Sequence, residues 1–222
     1  MLSGASLKIP RIWPIRTGVR PASLNHRLRG PAALAAILAI WTPAVGFGIH
    51  RLLQYSYTPG RPAAAAPIWP ANPWVAPVRD SPSMLVFVHP QCPCSRATIG
   101  ELARIMALDQ GRVSATVFFY APSTEAPDWD RTDLWRDASA IPGVRAAEDR
   151  DGLAARRFGA FTSGETLLFG TDGRLVFHGG ITPARGHAGD SSGRDAILNL
   201  LAGRPAARTS APVFGCSIQG GE

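Results

Sequence analysis

The sequence predicts an α/β domain, a central mixed β-sheet flanked by helices, preceded by one transmembrane helix. Three patterns carry that prediction. No residue from Gly30 to Ile49 is charged, and a helix of that length matches the bilayer core, about 30 Å thick. From residue 83 onward, short apolar runs alternate with helical periodicity in the order β-α-β. Two further strands then flank Asp172-Gly173, a hairpin signal, ahead of a closing helix. A β-α-β unit followed by a hairpin and a helix packs most simply as one mixed sheet with helices on both faces.

Composition narrows the class. With 45% hydrophobic and 18% charged residues the 222-residue chain is too apolar for disorder, and 23 Gly and 20 Pro break it too often for a coiled coil. Three cysteines are too few for a disulfide-built scaffold. The net charge of +7 is unevenly placed: residues 1–79 hold nine Lys/Arg and no acid, whereas residues 80–222 hold fourteen Arg against sixteen acids. A nucleic-acid reader carries its positive charge on the folded part, so no nucleic-acid partner is expected.

Read in order, residues 1–29 are a basic segment with Lys8, Arg11, Arg16, Arg20, Arg27 and Arg29. Residues 30–52 are the anchor, in contact with membrane lipid. They have no polar face, as a soluble helix would, and the basic segment before them is longer than a signal peptide usually has, although Ala44-Val45-Gly46 passes as a cleavage site and leaves a cleaved signal peptide as the alternative. Six basic residues precede the helix and only Arg51 and Arg61 follow closely, which predicts an N-terminus inside and a domain outside the cytoplasmic membrane. Residues 53–82 form a Pro/Ala-rich, extended spacer, with Tyr55, Tyr57 and Trp69 as candidate interfacial aromatics.

The domain spans 83–203. Met84–Val88 is an unbroken apolar run, as in a strand buried on both faces. Ser95–Asp109 is a helix with an apolar stripe of Ile99, Leu102, Ile105, Met106 and Leu108. Val113–Tyr120 is a second strand, rich in aromatic and β-branched residues. Helical stretches follow near Thr132–Ala140 and Gly152–Phe158; Asp128–Asp137 is read as a solvated helix start. Glu165–Phe169 and Arg174–His178 are the hairpin strands. Asp190–Leu201 closes the domain, capped by Ser191 or Ser192 and stopped by Gly203. Residues 204–222 are an irregular tail carrying Cys216.

The segment Leu85-Val-Phe-Val-His-Pro-Gln-Cys92-Pro-Cys94-Ser resembles the thioredoxin active-site segment with one residue fewer between the cysteines. The stretch Arg156 to Arg174 resembles the segment leading into that family's hairpin. With an anchor and an external domain, the chain resembles the TlpA/ResA-like thiol–disulfide proteins, and the RedB-type proteins more closely. The resemblance covers residues 83–203. It implies a thiol–disulfide oxidoreductase acting on a disulfide- or thiol-bearing extracytoplasmic protein, with no cofactor. The family's cis-proline position falls on Gly164, within Thr162-Ser163-Gly164, where a trans bond is expected because a cis bond before a non-proline costs about 2.5–4 kcal/mol.

A thiolate at the start of a helix is stabilised by unpaired N–H groups and the helix dipole. Cys92 is therefore the expected attacking thiol and Cys94 the resolving one, with Pro93, Ser163 and Gly164 shaping the partner groove. The hairpin topology brings the loop from His178 to His187 to the same edge, which makes Arg185 and His187 accessory candidates; His89 lies three residues before Cys92. Cys216 is a lone tail thiol, a third exchanging thiol or a metal ligand. The alternative chemistry is copper binding, since soft thiolates select Cu(I) and imidazole completes such sites; Cys92 and Cys94 with one of His89, His187 or Cys216 are its candidate ligands.

Overall fold

The computed structural model describes residues 30–71, 76–78 and 80–218. The basic segment 1–29 lies outside the described residues. Two compact units divide between Gly48 and Ile49. The first holds most of helix α1 (Pro31–Tyr57), which contains Pro43, is long and apolar enough to cross a membrane, and buries none of its residues. Leu34, Ile37, Ile40, Trp41 and Phe47 are exposed. The helix runs five residues beyond the expected anchor end at 52, because no breaker occurs before Pro59. Thr58 then ends it, its N–H and hydroxyl both donating to the Gln54 carbonyl.

The second unit is built on one six-stranded sheet in the order β3-β2-β1-β4-β5-β6. Its elements are β1 (Ser83–Val88), α2 (Pro93–Asp109), β2 (Ser114–Ala121), α3 (Asp133–Ser139), β3 (Val144–Arg150), α4 (Leu153–Phe158), β4 (Glu165–Phe169), β5 (Leu175–Gly179), α5 (Ser192–Leu201) and β6 (Ser210–Ala211). Strand β1 pairs parallel with β2 and antiparallel with β4; β4 and β5 form the expected hairpin, and β5 thus runs parallel to β1. Strand β1 is buried at every position because both faces are covered. Met84, Val86 and Val88 face a core with Ile99, Leu102 and Ile105 of α2 and Ile197 of α5. Leu85 and Phe87 face a second core with Phe118, Leu167, Phe169 and Phe158 of α4.

Several details depart from the sequence reading. Strand β3 departs from the sequence reading: Val144–Arg150 is an edge strand with a single fully buried residue, so it carries no apolar alternation. Leu108 does not belong to the α2 stripe and is 61% exposed, since nine residues from Ile99 at 3.6 per turn place it on the opposite side of the helix. Asp130 is buried rather than solvated. The segment read as a spacer is partly laid along the domain. The Ala64 N–H donates to Gly159 O, and Trp69 N–H to Gly173 O (2.9 and 2.8 Å). The Trp69 ring is not interfacial but packs edge-on against Phe158 and Phe169 (5.3 and 4.9 Å). Residues 210–218 are not irregular: β6 joins β5, and Ser217 bridges to Thr162.

Helix α2 is tied to α5 through Glu101, whose carboxylate is fully buried yet fully partnered. It accepts from Arg194 Nη1 (3.0 Å), Arg104 Nη1 (2.9 Å) and the Gly189 N–H (2.8 Å). This cluster also fixes the loop before α5. Removing one member of a buried ion pair strands the other charge and costs roughly 3–5 kcal/mol. Glu101→Ala is therefore expected to lose that much unfolding free energy in a denaturant titration; a loss under about 1 kcal/mol, the range of an exposed pair, would contradict the assignment.

Candidate functional site

Strand β1 delivers the chain to the sheet edge, and a turn closed by Cys92 N–H donating to His89 O (3.1 Å) reverses it into α2. Cys92 takes the N-cap position with extended backbone, and Pro93 occupies the first helical position, where its missing N–H costs nothing. No side-chain oxygen caps this helix. The Cys92 sulfur stands in that place, beside the N–H groups of Cys94 and Ser95.

The loop 162–164 locks against this turn. Gly164 N–H donates to Phe87 O at 2.7 Å. Gly164 has φ of +96° and a trans preceding bond. The Ser163 hydroxyl accepts His89 N–H (2.9 Å) and pairs with the Ser95 hydroxyl (2.8 Å), which also donates to His89 O. The backbone N–H of Ser163 donates to Cys216 O at 2.8 Å, and Ile218 N–H donates to Phe161 O at 3.0 Å. The tail therefore runs antiparallel to 161–163. Its Gly215 lies so close to the Ser163 carbonyl that a Cβ would stand 1.8 Å from that oxygen, which requires glycine. Val213 and Phe214 are buried and hold the tail down.

This pairing sets Cys216 Sγ 2.8 Å from Cys92 Sγ, a thiol–thiol hydrogen bond. All three cysteines are free thiols; Cys92 and Cys94 are 3% and 5% exposed. Burial pushes the Cys92 thiol up, but the hydrogen bond from Cys216 and the surrounding backbone N–H groups outweigh it, and the net shift is downward. Cys94 moves upward, through burial and then the neighbouring Cys92 charge. Burial, together with donation to Cys92, pushes Cys216 up to about 12. One site thus holds a favoured thiolate and two reluctant ones.

Arg185 clamps the tail. Its Nη1 donates to Gly215 O, its backbone N–H to Ser56 O (3.0 Å) and its Nε to Thr58 O (3.3 Å), with the guanidinium 5.2 Å from the Tyr55 ring centroid. Its charge favours ionised Cys94 and Cys216. Arg185 and Cys216 line a groove of about 990 Å³ with Arg51, Gln54, Tyr55 and Arg61. Cys92 and Pro93 line a different cleft of about 410 Å³, with Gln91, Thr132 and Leu134.

The histidines do not converge on the thiols. His89 packs its ring against Tyr120 and Trp129 (5.7 and 5.5 Å), accepts Gln91 N–H at Nδ1, and has its pKa lowered by burial. His187 folds onto its own loop, Nδ1 2.7 Å from Arg185 O. Among the described residues no group of three or more His, Cys, Asp or Glu side chains is arranged to hold a metal ion.

Sequence reasoning missed Ser95, which joins helix to loop, and Glu165. The latter pairs with Phe87 at the head of β4 and is fully buried. Neither carboxylate oxygen has a hydrogen-bond partner among the described residues, and His178 Nδ1 stands 3.9 Å away. Burial raises its pKa to about 8. A glutamate two residues before the apolar run Leu167-Leu168-Phe169 was the available signal.

The fold is thioredoxin-like: a central mixed sheet flanked by helices, with the cysteine-bearing helix starting at the end of β1. Two solved structures are similar over most of the chain. A hypothetical protein of Sinorhizobium meliloti 1021 is 20% identical, with a TM-score of 0.53, over 74% of this chain and 95% of that one. An uncharacterized conserved protein from Geobacillus kaustophilus is 21% identical, with a TM-score of 0.54, over 74% and 93%. A secreted Mycobacterium tuberculosis disulfide oxidoreductase homologous to E. coli DsbE is similar over 56% of this chain and 83% of that one, at 16% identity and a TM-score of 0.42. No family model and no curated protein sequence matches the chain.

Two pH dependences are expected. Alkylation of Cys92, followed by peptide mass spectrometry, should show a midpoint below the free-thiol value of about 8.5, moving upward in Cys216→Ala as the thiol donor is lost; a midpoint at or above that value would count against the site. Glu165 binds a proton more tightly when folded, from its ordinary 4.5 up to about 8, so stability falls as pH rises through that window. Comparing unfolding free energies at about pH 5 and about pH 9, wild type should lose a few kcal/mol relative to Glu165→Gln; parallel curves would show that the carboxyl is not protonated in the fold.

Proposed function

We propose that this chain is a membrane-anchored thiol–disulfide oxidoreductase of the TlpA/ResA-like or RedB-type kind, whose attacking group is the Cys92 thiolate. The observation that carries the reading is the environment of Cys92. It stands at the helix N-cap, where backbone N–H groups and a neighbouring thiol donor favour the ionised sulfur, and only the thiolate is nucleophilic.

The reaction is an exchange of two electrons and two protons. The Cys92 thiolate attacks one sulfur of a partner disulfide, forms a mixed disulfide, and expels the partner's other sulfur, which takes up a proton. A second thiol of the site then attacks the Cys92 sulfur, closing an intramolecular disulfide and releasing the partner's remaining sulfur as a thiol. The site contributes no external oxidant; the partner disulfide is reduced as the two cysteines are oxidised, and the reverse direction oxidises a partner dithiol. The backbone edge at Thr162 and Ser163, expected to receive a partner, pairs instead with the chain's own residues Cys216 and Ser217.

Two features favour an extracytoplasmic setting. Helix α1 suits a single membrane pass, and the excess of basic residues before it supports a domain on the outer side. Thiol pairs that cycle through disulfides are at home there. The partner is accordingly a disulfide- or thiol-bearing protein of that compartment.

Full-length protein in detergent micelles should speed the reduction of insulin by dithiothreitol, and Cys92→Ser should return the rate to the uncatalysed background with an unchanged denaturant midpoint. Equal rates for the two proteins would remove the proposal.

A further inference from the structure

The three thiols are not equivalent partners for Cys92. Cys94 follows it by two residues in the first turn of α2, so a bond between them closes a small ring over Pro93, whose φ is fixed. Its thiol is pushed up by burial and by the adjoining Cys92 sulfur, against the weaker pull of the Arg185 charge and the Gly186 N–H. Cys216 lies across from Cys92, with the sulfurs 2.8 Å apart. It arrives there on backbone pairing: Ser163 N–H to Cys216 O, Ile218 N–H to Phe161 O, and the Thr162–Ser217 bridge. Adding an extended segment to an exposed backbone edge is a recurrent mode of peptide recognition. Here the edge at 161–163 is occupied by a segment of the same chain, with its cysteine at the reactive sulfur.

We infer that residues 212–218 act as a built-in substrate strand and that Cys216 is the resolving cysteine, so that the disulfide formed in turnover is Cys92–Cys216. This rests on the oxidoreductase reading and assigns its second step. In that step the Cys216 thiol loses its proton to solvent and attacks the Cys92 sulfur of the mixed disulfide. The Cys92–Cys216 bond forms, the bond from Cys92 to the partner breaks, and the partner sulfur leaves and is protonated. Such an exchange needs attacking and leaving sulfurs on opposite sides of the central one. The cleft lined by Cys92 and the groove lined by Cys216 share no lining residue, which gives partner and tail separate approaches. Cys94 is then an adjacent thiol that is not required for closure.

The test treats the reduced full-length chain in detergent with oxidised glutathione, alkylates remaining thiols, digests with trypsin and maps the products. Cleavage after Arg79, Arg96 and Arg208 leaves Cys92 and Cys94 on one peptide and Cys216 on another. The expected result is a disulfide joining the two peptides, with loss of two hydrogens, in wild type and in Cys94→Ser. In Cys216→Ser the link is lost and glutathione stays on Cys92. A Cys92–Cys94 bond within one peptide in wild type overturns the assignment, as does a link that disappears in Cys94→Ser. Glutathione persisting on Cys92 in wild type also overturns it while leaving Cys92 as nucleophile. No reaction at Cys92 at all removes the oxidoreductase reading itself. The wild-type map decides the matter even where a variant folds poorly.

Discussion

Ser163 is bonded on three sides, and the site exists because of it. Its hydroxyl joins the end of β1, through His89 N–H, to the first turn of α2, through Ser95. Its N–H holds the carbonyl of Cys216, and its own carbonyl is approached by Gly215 at a distance that no side chain would permit. A hydroxyl is small enough to be buried here and can donate and accept at once. Without it the β1 end, the helix start and the tail would each need separate partners for buried polar groups, which cost free energy when left unmade. The juxtaposition of Cys92 and Cys216 is therefore an outcome of backbone satisfaction around one residue.

The surrounding charges are arranged so that one sulfur ionises before the others. Cys92 gains donors that survive burial, whereas buried Cys94 and half-buried Cys216 have fewer and lie beside the charge that Cys92 acquires. Arg185 moderates this by lying close to the reluctant pair while spending its own donors on Ser56, Thr58 and Gly215. The Glu101 cluster steadies the loop that carries Arg185, because Gly189 in that loop donates to the same carboxylate that pairs with Arg194. A buried ion pair in the helix layer thus bears on thiol chemistry at the sheet edge.

The sheet was legible where physics is local. Met84–Val88 reads as doubly buried because it is continuously apolar, and Asp172-Gly173 marks a hairpin because its backbone conformation restricts the residues that fit. The placement of Cys92 and Cys94 at a helix start followed from the same reasoning. What escaped was settled at long range. Val144–Arg150 becomes a strand only because β2 offers an edge, and Trp69 finds its pocket only once Phe158 and Phe169 stand together. The prolines of 58–71 announced an extended path and not what it lies against. Cys216 has three readings in the sequence, a lone thiol, an exchanging thiol and a metal ligand, and at 124 residues from Cys92 nothing local to the tail decides among them.

The two sulfurs also differ as leaving groups. Thiol–disulfide exchange is faster when the expelled thiol is the more acidic one. In a Cys92–Cys216 bond, attack on the Cys216 sulfur expels Cys92, whose thiolate is favoured by the N–H groups of Cys94 and Ser95 at the helix start, whereas attack on the Cys92 sulfur must expel Cys216, whose thiolate is disfavoured by burial. Cys216 borders the larger groove and Cys92 the smaller cleft. Such a bond is kinetically polar. It opens readily to a reductant entering from the arginine-lined side and resists one entering from the other, and the thiolate set free by the first attack is the one facing the second opening.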